Sequence, residues 1–244
     1  MKWAWNVGLG AMILLVWQCA VLWSGIPHYV LPAPIDVWQT ALDDAPLLLH
    51  HGIATALLVV GGLICGIVCG IVVAGALHAS ARMRALVLPL LIGAQNVPLI
   101  VIAPFFVIWF GFGVWPKMLL VTGVCFFPIV INTLDGLHRV DAMRARYFAM
   151  SGASAWQKFV HLTWPTALPM VFSGCKLAAT YSVLGATIAE WVGAQAGLGV
   201  YMMLKKASFD VAALFVVVLM IVTASIGLVQ CISVIERRCT RWHA

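Results

Sequence analysis

Gln95 and Asn96 stand side by side, next to Pro98, inside a stretch that is otherwise almost wholly apolar. Thr180, Tyr181, Ser182 and Thr187 punctuate a second such stretch, and Glu190 lies near its end. Polar groups in apolar segments of this length are costly in hydrocarbon and point to function. The chemistry open to them is hydrogen bonding to a polar solute that passes between helices. Serine and threonine can also satisfy themselves on their own helix backbone, which gives a structural role equal weight for them. Asn96 is the stronger pathway candidate, with Tyr181, Trp109 and Glu190 beside it. For Glu190 the bland alternative, a carboxylate in interfacial water, carries more weight than contact with solute or an outer gate. Trp109 and Trp191 fit interface anchors better than stacking platforms, although aromatic walls would suit a cation or a flat heterocycle.

Other chemistries lack their residues. The chain has no G-x-x-x-x-G-K-[ST] phosphate loop, so it is not expected to hydrolyse ATP itself. It has no nucleophile elbow, zinc motif or carboxylate pair, so no catalytic residue and no metal site is assigned. Cys65 and Cys69 share a helix face, but a metal would need further ligands and none is near. The seven cysteines, odd in number and mostly within apolar runs, read as reduced packing residues. The seven histidines are scattered, and the adjacent His50 and His51 read as solvated surface.

The elements that carry these residues follow from composition. Hydrophobic residues make up 64% of the 244 and charged residues only 9%, against roughly 25% charged in soluble domains. The bilayer must be their solvent. Six apolar segments, about 5–24, 53–77, 86–110, 115–134, 170–190 and 212–235, approach the ~20 residues needed to cross it. The expected fold is all-α: one polytopic domain, residues 1–244, with six transmembrane helices. The first segment follows Lys2 without a small-x-small cleavage site and reads as a retained helix. Pro98 and Pro104 are expected to kink the third. Residues 35–51 are expected to form a short outer helix, and Pro169 to open the fifth span.

With both termini in the cytoplasm, ten of the 14 lysines and arginines face inward, from Lys2 through Arg139 and Lys158 to Arg241. Lys117, Lys205 and Lys206 face outward, and Lys176 snorkels from the fifth span. This is a clear positive-inside bias. No basic stripe with interleaved aromatics appears, which argues against nucleic acid. Gly62, Gly66, Gly70 and Ala74 recur every four residues in the second span. That spacing predicts close helix packing within the bundle, with a subunit interface as the lesser alternative.

The inner segment 135–169 is longer than a mere connection requires. Met143, Tyr147 and Met150 share one face of a short helix. Gly152 then supplies a turn residue. Ser154 and Gln157 form an S-x-x-Q capping box for a second short helix, where Trp156, Phe159, Val160 and Thr163 line one side and Pro165 ends it. An amphipathic helix on the membrane would show this pattern, and so would a docking helix for a cytosolic partner.

Gly152, nine residues, then Leu162-Thr163-Trp164-Pro165 resembles the cytoplasmic "EAA" loop of binding-protein-dependent ABC importer permeases. That pattern reads E-A-A, three residues, Gly, nine residues, Ile-x-Leu-Pro. Arg146, Tyr147 and Phe148 stand where E-A-A does. Leu31-Pro32-Ala33-Pro34, the run from Ala103-Pro104 to Gly113, and Ala189-Glu190 with Gly197-Leu198-Gly199 are similar to the nitrate, sulfonate and taurine group. Cys125 to Val130 with Asp135-Gly136 looks most like the branch importing pyrimidine precursors of thiamine.

The resemblance implies a permease homodimer in the bacterial inner membrane, surrounded by lipid. It implies two cytosolic ATPase subunits that use ATP and magnesium, and an external binding protein that delivers a small polar solute. Gly152, Ser154, Trp156, Phe159, Leu162 and Pro165 would then couple to the ATPase, the loop acting as a coupling helix. Sulfonate, taurine or nitrate are alternative cargoes. A secondary transporter driven by an ion gradient, a lipid-modifying membrane enzyme and a non-catalytic scaffold are the rival readings; the sequence shows no internal repeat of the kind many secondary transporters carry.

Overall fold

The computed structural model describes the backbone of residues 2–240, and the side chains of Trp5 and of residues 8–240. Arg241, expected to face the cytoplasm, lies outside the described residues, as does the side chain of Lys2. Eleven helices follow one another, and no strand occurs among the described residues. They are α1 (Lys2–Ser24), α2 (Pro34–Asp43), α3 (Ala45–Ala79), α4 (Ala81–Ala94), α5 (Leu99–Phe110) and α6 (Val114–His138). Then come α7 (Ala142–Met150), α8 (Ala155–Lys158), a π-helical turn (Phe159–Thr163), α9 (Trp164–Glu190), α10 (Leu198–Ala207) and α11 (Val211–Cys239).

The fold is the expected all-α membrane architecture, with differences in the spans. Four helices are long and apolar enough to cross a bilayer: Ala45–Ala79, Val114–His138, Ala155–Glu190 and Val211–Cys239. The expected third span is two helices, α4 and α5, bent by 101° across Gln95–Pro98. Pro98 caps α5 in extended conformation, whereas Pro104 sits inside α5 without ending it. In α1 only Gly8–Ser24 counts as a shorter apolar helix. The count of six therefore rests on the bent pair and on this short helix.

Boundaries moved as well. The outer helix is Pro34–Asp43, not 35–51, because Asp44 closes it and α3 starts at Ala45. Pro165 does not end a helix and Pro169 does not open one: residues 155–190 run as a single 36-residue helix. The π-turn explains how Pro165 fits. It closes with Trp164 N–H donating to the Phe159 carbonyl five residues back. The widened turn gives a place to a proline that lacks a donor and crowds the preceding turn.

The core is built on α6, which packs between α3 and α9. A methyl added to Gly62, Gly66 or Gly70 would lie 2.5 Å from Val121, 2.5 Å from Cys125 or 2.7 Å from Ile129. On its other side, Gly136 of α6 and Gly174 of α9 let the helices meet at the Ala167 and Pro128 carbonyls. The four-residue glycine stripe is thus filled by α6 of the same chain, as its spacing predicts. Lys176 of α9 is ion-paired with Glu236 of α11.

Candidate functional site

The segment joining α6 to α9 is shorter than expected, since α6 continues to His138. Its helices are held by local caps. The Asp141 carboxylate accepts from Met143 N at 2.7 Å and Arg144 N at 3.0 Å. These backbone donors, Arg144 first, hold its carboxyl below the usual range. Gly152 turns the chain at φ +71°, a conformation that suits glycine. Ser154 and Gln157 cap each other reciprocally: Ser154 N donates to Gln157 Oε1 at 2.8 Å, and Gln157 N to Ser154 Oγ at 3.2 Å.

What this segment displays is apolar. Met143, Tyr147, Met150 and Trp156 are exposed by 80, 65, 81 and 71%. The Trp156 ring stacks on Phe159 at 6.0 Å, and Phe159 leans on Trp164 at 6.3 Å. Leu162 and Thr163 point the other way and are buried. Of the six coupling candidates, Gly152, Ser154 and Trp156 are exposed, Phe159 and Pro165 half-buried, and Leu162 anchors the segment to the bundle. Trp164 completes the aromatic row and is the member the helical spacing did not single out.

The break between α4 and α5 opens a cavity of about 780 Å³ toward α6 and α9. Gln95, Asn96 and Tyr181 give it polar atoms; Phe106, Phe127 and Pro128 give it flat apolar walls. Asn96 Nδ2 donates to the Ile92 carbonyl at 2.7 Å, which fixes the amide at the helix end. Asn96 and Tyr181 therefore share one cavity. Trp109 lies outside it, 67% exposed and leaning on Phe105 and Phe106.

Glu190 is elsewhere, at the end of the bundle opposite the α7–α8 segment. It is not in interfacial water: its exposure is 2%. Thr55 Oγ1 donates to Glu190 Oε1 at 2.7 Å, and Gly199 N to Oε2 at 2.8 Å. Leu198 N donates to Thr55 Oγ1 at 2.8 Å, and Gly197 N to His51 Nδ1 at 3.0 Å. A side chain at Gly197 would collide with the carboxylate. His51 is likewise buried rather than solvated, at 6% exposure. Because α3 starts at Ala45, His51 continues the buried face of Thr55, Leu58 and Gly62. That helical spacing, and the two glycines after Ala189-Glu190, were the available signals.

Lys117, at the same end as Glu190, is buried as well. Rather than being solvated it is 8% exposed, with Nζ donating to the Gly193 carbonyl at 3.3 Å. A polar cluster lies nearby. Lys205 Nζ meets Asp44 Oδ2 at 2.6 Å and Asp210 Oδ2 at 3.1 Å, and Tyr201 Oη donates to Asp44 Oδ2 at 2.6 Å. Hydrogen bonds from Lys205 and then Tyr201 hold the Asp44 carboxyl below its usual range; Asp44 in turn raises Lys205.

The sequence profile of the family described as "Binding-protein-dependent transport system inner membrane component" matches residues 66–241. The chain belongs to this family. The formylaminopyrimidine transport permease of Halalkalibacterium halodurans is 32% identical over 82% of this chain and 80% of its own. The riboflavin transport system permease of Chloroflexus aurantiacus is 31% identical over 96% and 88%. The taurine transport system permease of Escherichia coli is 28% identical over 100% and 94%.

This permease is accordingly a multi-pass inner-membrane subunit of an ABC importer, whose partners are an ATPase and a binding protein. It is not an enzyme; ATP hydrolysis belongs to the separate ATPase subunit. Membership decides against the ion-gradient carrier, the lipid enzyme and the scaffold. The matched region contains the α7–α8 segment, the Asn96 cavity, Lys117 and Glu190, while His51 and Thr55 precede it.

Proposed function

We propose that this permease carries a small uncharged heterocycle, a pyrimidine precursor of thiamine, into the cytoplasm, and that the α7–α8 segment is where its ATPase docks. One observation carries the mechanism. The exposed Trp156 and the cavity residue Tyr181 lie on the same continuous helix, Ala155–Glu190. At 1.5 Å per residue they are about 37 Å apart along one rod. A displacement imposed on the stacked Trp156–Phe159–Trp164 row therefore reaches the cavity wall without crossing a loop. Closure of the ATPase on ATP and magnesium would push this row, and the spans would rock between inward- and outward-facing states.

The cargo reading rests on the cavity lining. Amide and phenol groups between phenyl rings, with no Lys, Arg, Asp or Glu among the lining residues, suit a flat neutral solute better than a bare anion. The similarity to formylaminopyrimidine and riboflavin permeases supports the same class. Sulfonate, taurine or nitrate is the alternative cargo. The remaining assembly is part of this reading: a homodimer in lipid, both termini cytoplasmic. Arg139, Arg144, Arg146 and Lys158 at the α7–α8 end support that orientation. The direct test is binding by the cognate binding protein. Tight binding of formylaminopyrimidine is expected; binding of taurine with indifference to pyrimidines would overturn the cargo assignment.

A further inference from the structure

We propose that the cavity around Lys117 is a second solute station, a subsite for a small molecule of no net charge that carries both an oxygen acceptor and a nitrogen donor. The proposal rests on the reading of this chain as a solute permease and adds a site separate from the Asn96 cavity.

Lys117 sits near the start of a spanning helix, 8% exposed. Its one protein acceptor among the described residues is the Gly193 carbonyl at 3.3 Å. An ammonium carries three donors, and a buried charge with unused donors is costly. The group lines a cavity of about 370 Å³, within the usual range of small-molecule pockets. Gln195 supplies an amide at the rim and Phe112 an aromatic face.

Glu190 lines the same cavity and supplies the opposite charge. Its two oxygens lie 2.7 Å from Thr55 Oγ1 and 2.8 Å from the Gly199 nitrogen. Among the described residues the two charges form no direct ion pair. A carboxylate has about four lone-pair sites and two are used here, so it can still accept from a solute N–H. A bipolar molecule satisfies both: its oxygen takes the Lys117 donors while its nitrogen approaches Glu190. A bare anion gains the first contact and meets repulsion from the second.

The test uses the permease–ATPase complex in lipid nanodiscs, with thermal unfolding read at millimolar solute. Four probes are compared: formylaminopyrimidine, taurine, ethanesulfonate and nitrate. Taurine and ethanesulfonate share the sulfonate and differ in the ammonium. A Tm rise of several degrees is expected with taurine or formylaminopyrimidine and little with the two anions. Lys117→Met should abolish the rise. Gln195→Ala, at the exposed rim, should weaken binding several-fold and stands in if Lys117→Met fails to assemble. Equal shifts in wild type and both variants, ethanesulfonate matching taurine, or no shift with any probe would overturn the subsite. ATP-driven uptake without any such shift would remove the subsite and leave the transport reading standing. Binding at Lys117 without uptake of any probe would do the reverse.

Discussion

The two ends of this molecule are held together in opposite ways. At the α7–α8 end the side-chain hydrogen bonds are local: Asp141 to Met143 and Arg144, Ser154 to Gln157. At the far end they span the chain, joining Glu190 to Thr55, Gly197 to His51 and Tyr201 to Asp44 across 135, 146 and 157 residues. One end shows an exposed aromatic row and leaves its apolar face uncovered; the other buries its polar groups against its own chain. An element that receives force from another protein needs a surface free to be docked. An element that must stay shut between strokes needs its own latch. The difference predicts that far-end substitutions act on stability, whereas substitutions in the α7–α8 segment act on partnership.

The largest effect is expected from Glu190→Ala. It strands the buried Gly199 N–H without its acceptor and leaves the Thr55 hydroxyl only the His51 carbonyl, at 3.2 Å. It also removes the carboxylate that shares the Lys117 cavity, and each buried polar group left without its partner costs about 1–3 kcal/mol. Thermal unfolding in nanodiscs should show a large drop in Tm with proteolytic opening near 191–199. An unchanged Tm would mean that the far end is not a self-sufficient latch.

Next in size are Trp156→Ala and Gly152→Asp. Trp156 is 71% exposed and stacks on Phe159, so its loss costs the isolated bundle little. Docked tryptophans are typical interface anchors, and their truncation costs about 2 kcal/mol or more, which is beyond tenfold in affinity. Gly152 at φ +71° tolerates no side chain without strain, though space is open around it. Both variants should remain in the membrane with normal Tm and lose ATPase co-purification and uptake. Full retention of both activities would refute the docking role.

The same contrast explains what could be read from the sequence. The S-x-x-Q box, the turn glycine and the Met143–Tyr147–Met150 face are patterns within a few residues, and the structure contains each of them. So is the glycine stripe, because a helix repeats its own face. The buried state of Glu190, His51 and Lys117 depends on partners far along the chain. Local composition, which puts carboxylates, histidines and lysines at water, pointed the wrong way. Similarly, Pro165, directly after a π-turn, looks like a terminator until the widened register is seen.

A smaller effect should follow pH at the far end. The Asp44 carboxyl is held below its usual 3.8 by Lys205 and Tyr201, so its contribution is present above 3.8 and is lost as pH falls through the lowered value. Lys205 is raised above its usual 10.5, so its contribution is present below 10.5 and is lost as pH rises through the raised value. The Tm gap between wild type and Asp44→Asn should be constant between these limits and close outside them. A gap that instead closes near neutral pH would place the latch on other groups.

The smallest effect is Ser154→Ala, which removes one half of a reciprocal cap. Caps of this kind contribute about 1 kcal/mol, and here the contribution is confined to the turn ahead of Trp156. Global Tm should not move, because among the described residues the segment makes no long-range side-chain hydrogen bond to lose. Amide exchange over 152–158 should accelerate about fivefold, the factor that 1 kcal/mol gives, while exchange at Thr55, Gly197 and Gly199 stays as in wild type. ATPase binding should weaken by a similar factor, since the docking row then has to be ordered during contact. Were the far-end amides to speed up together with 152–158, the two ends would be one cooperative unit. The rod from Ala155 to Glu190 would then transmit instability as well as force.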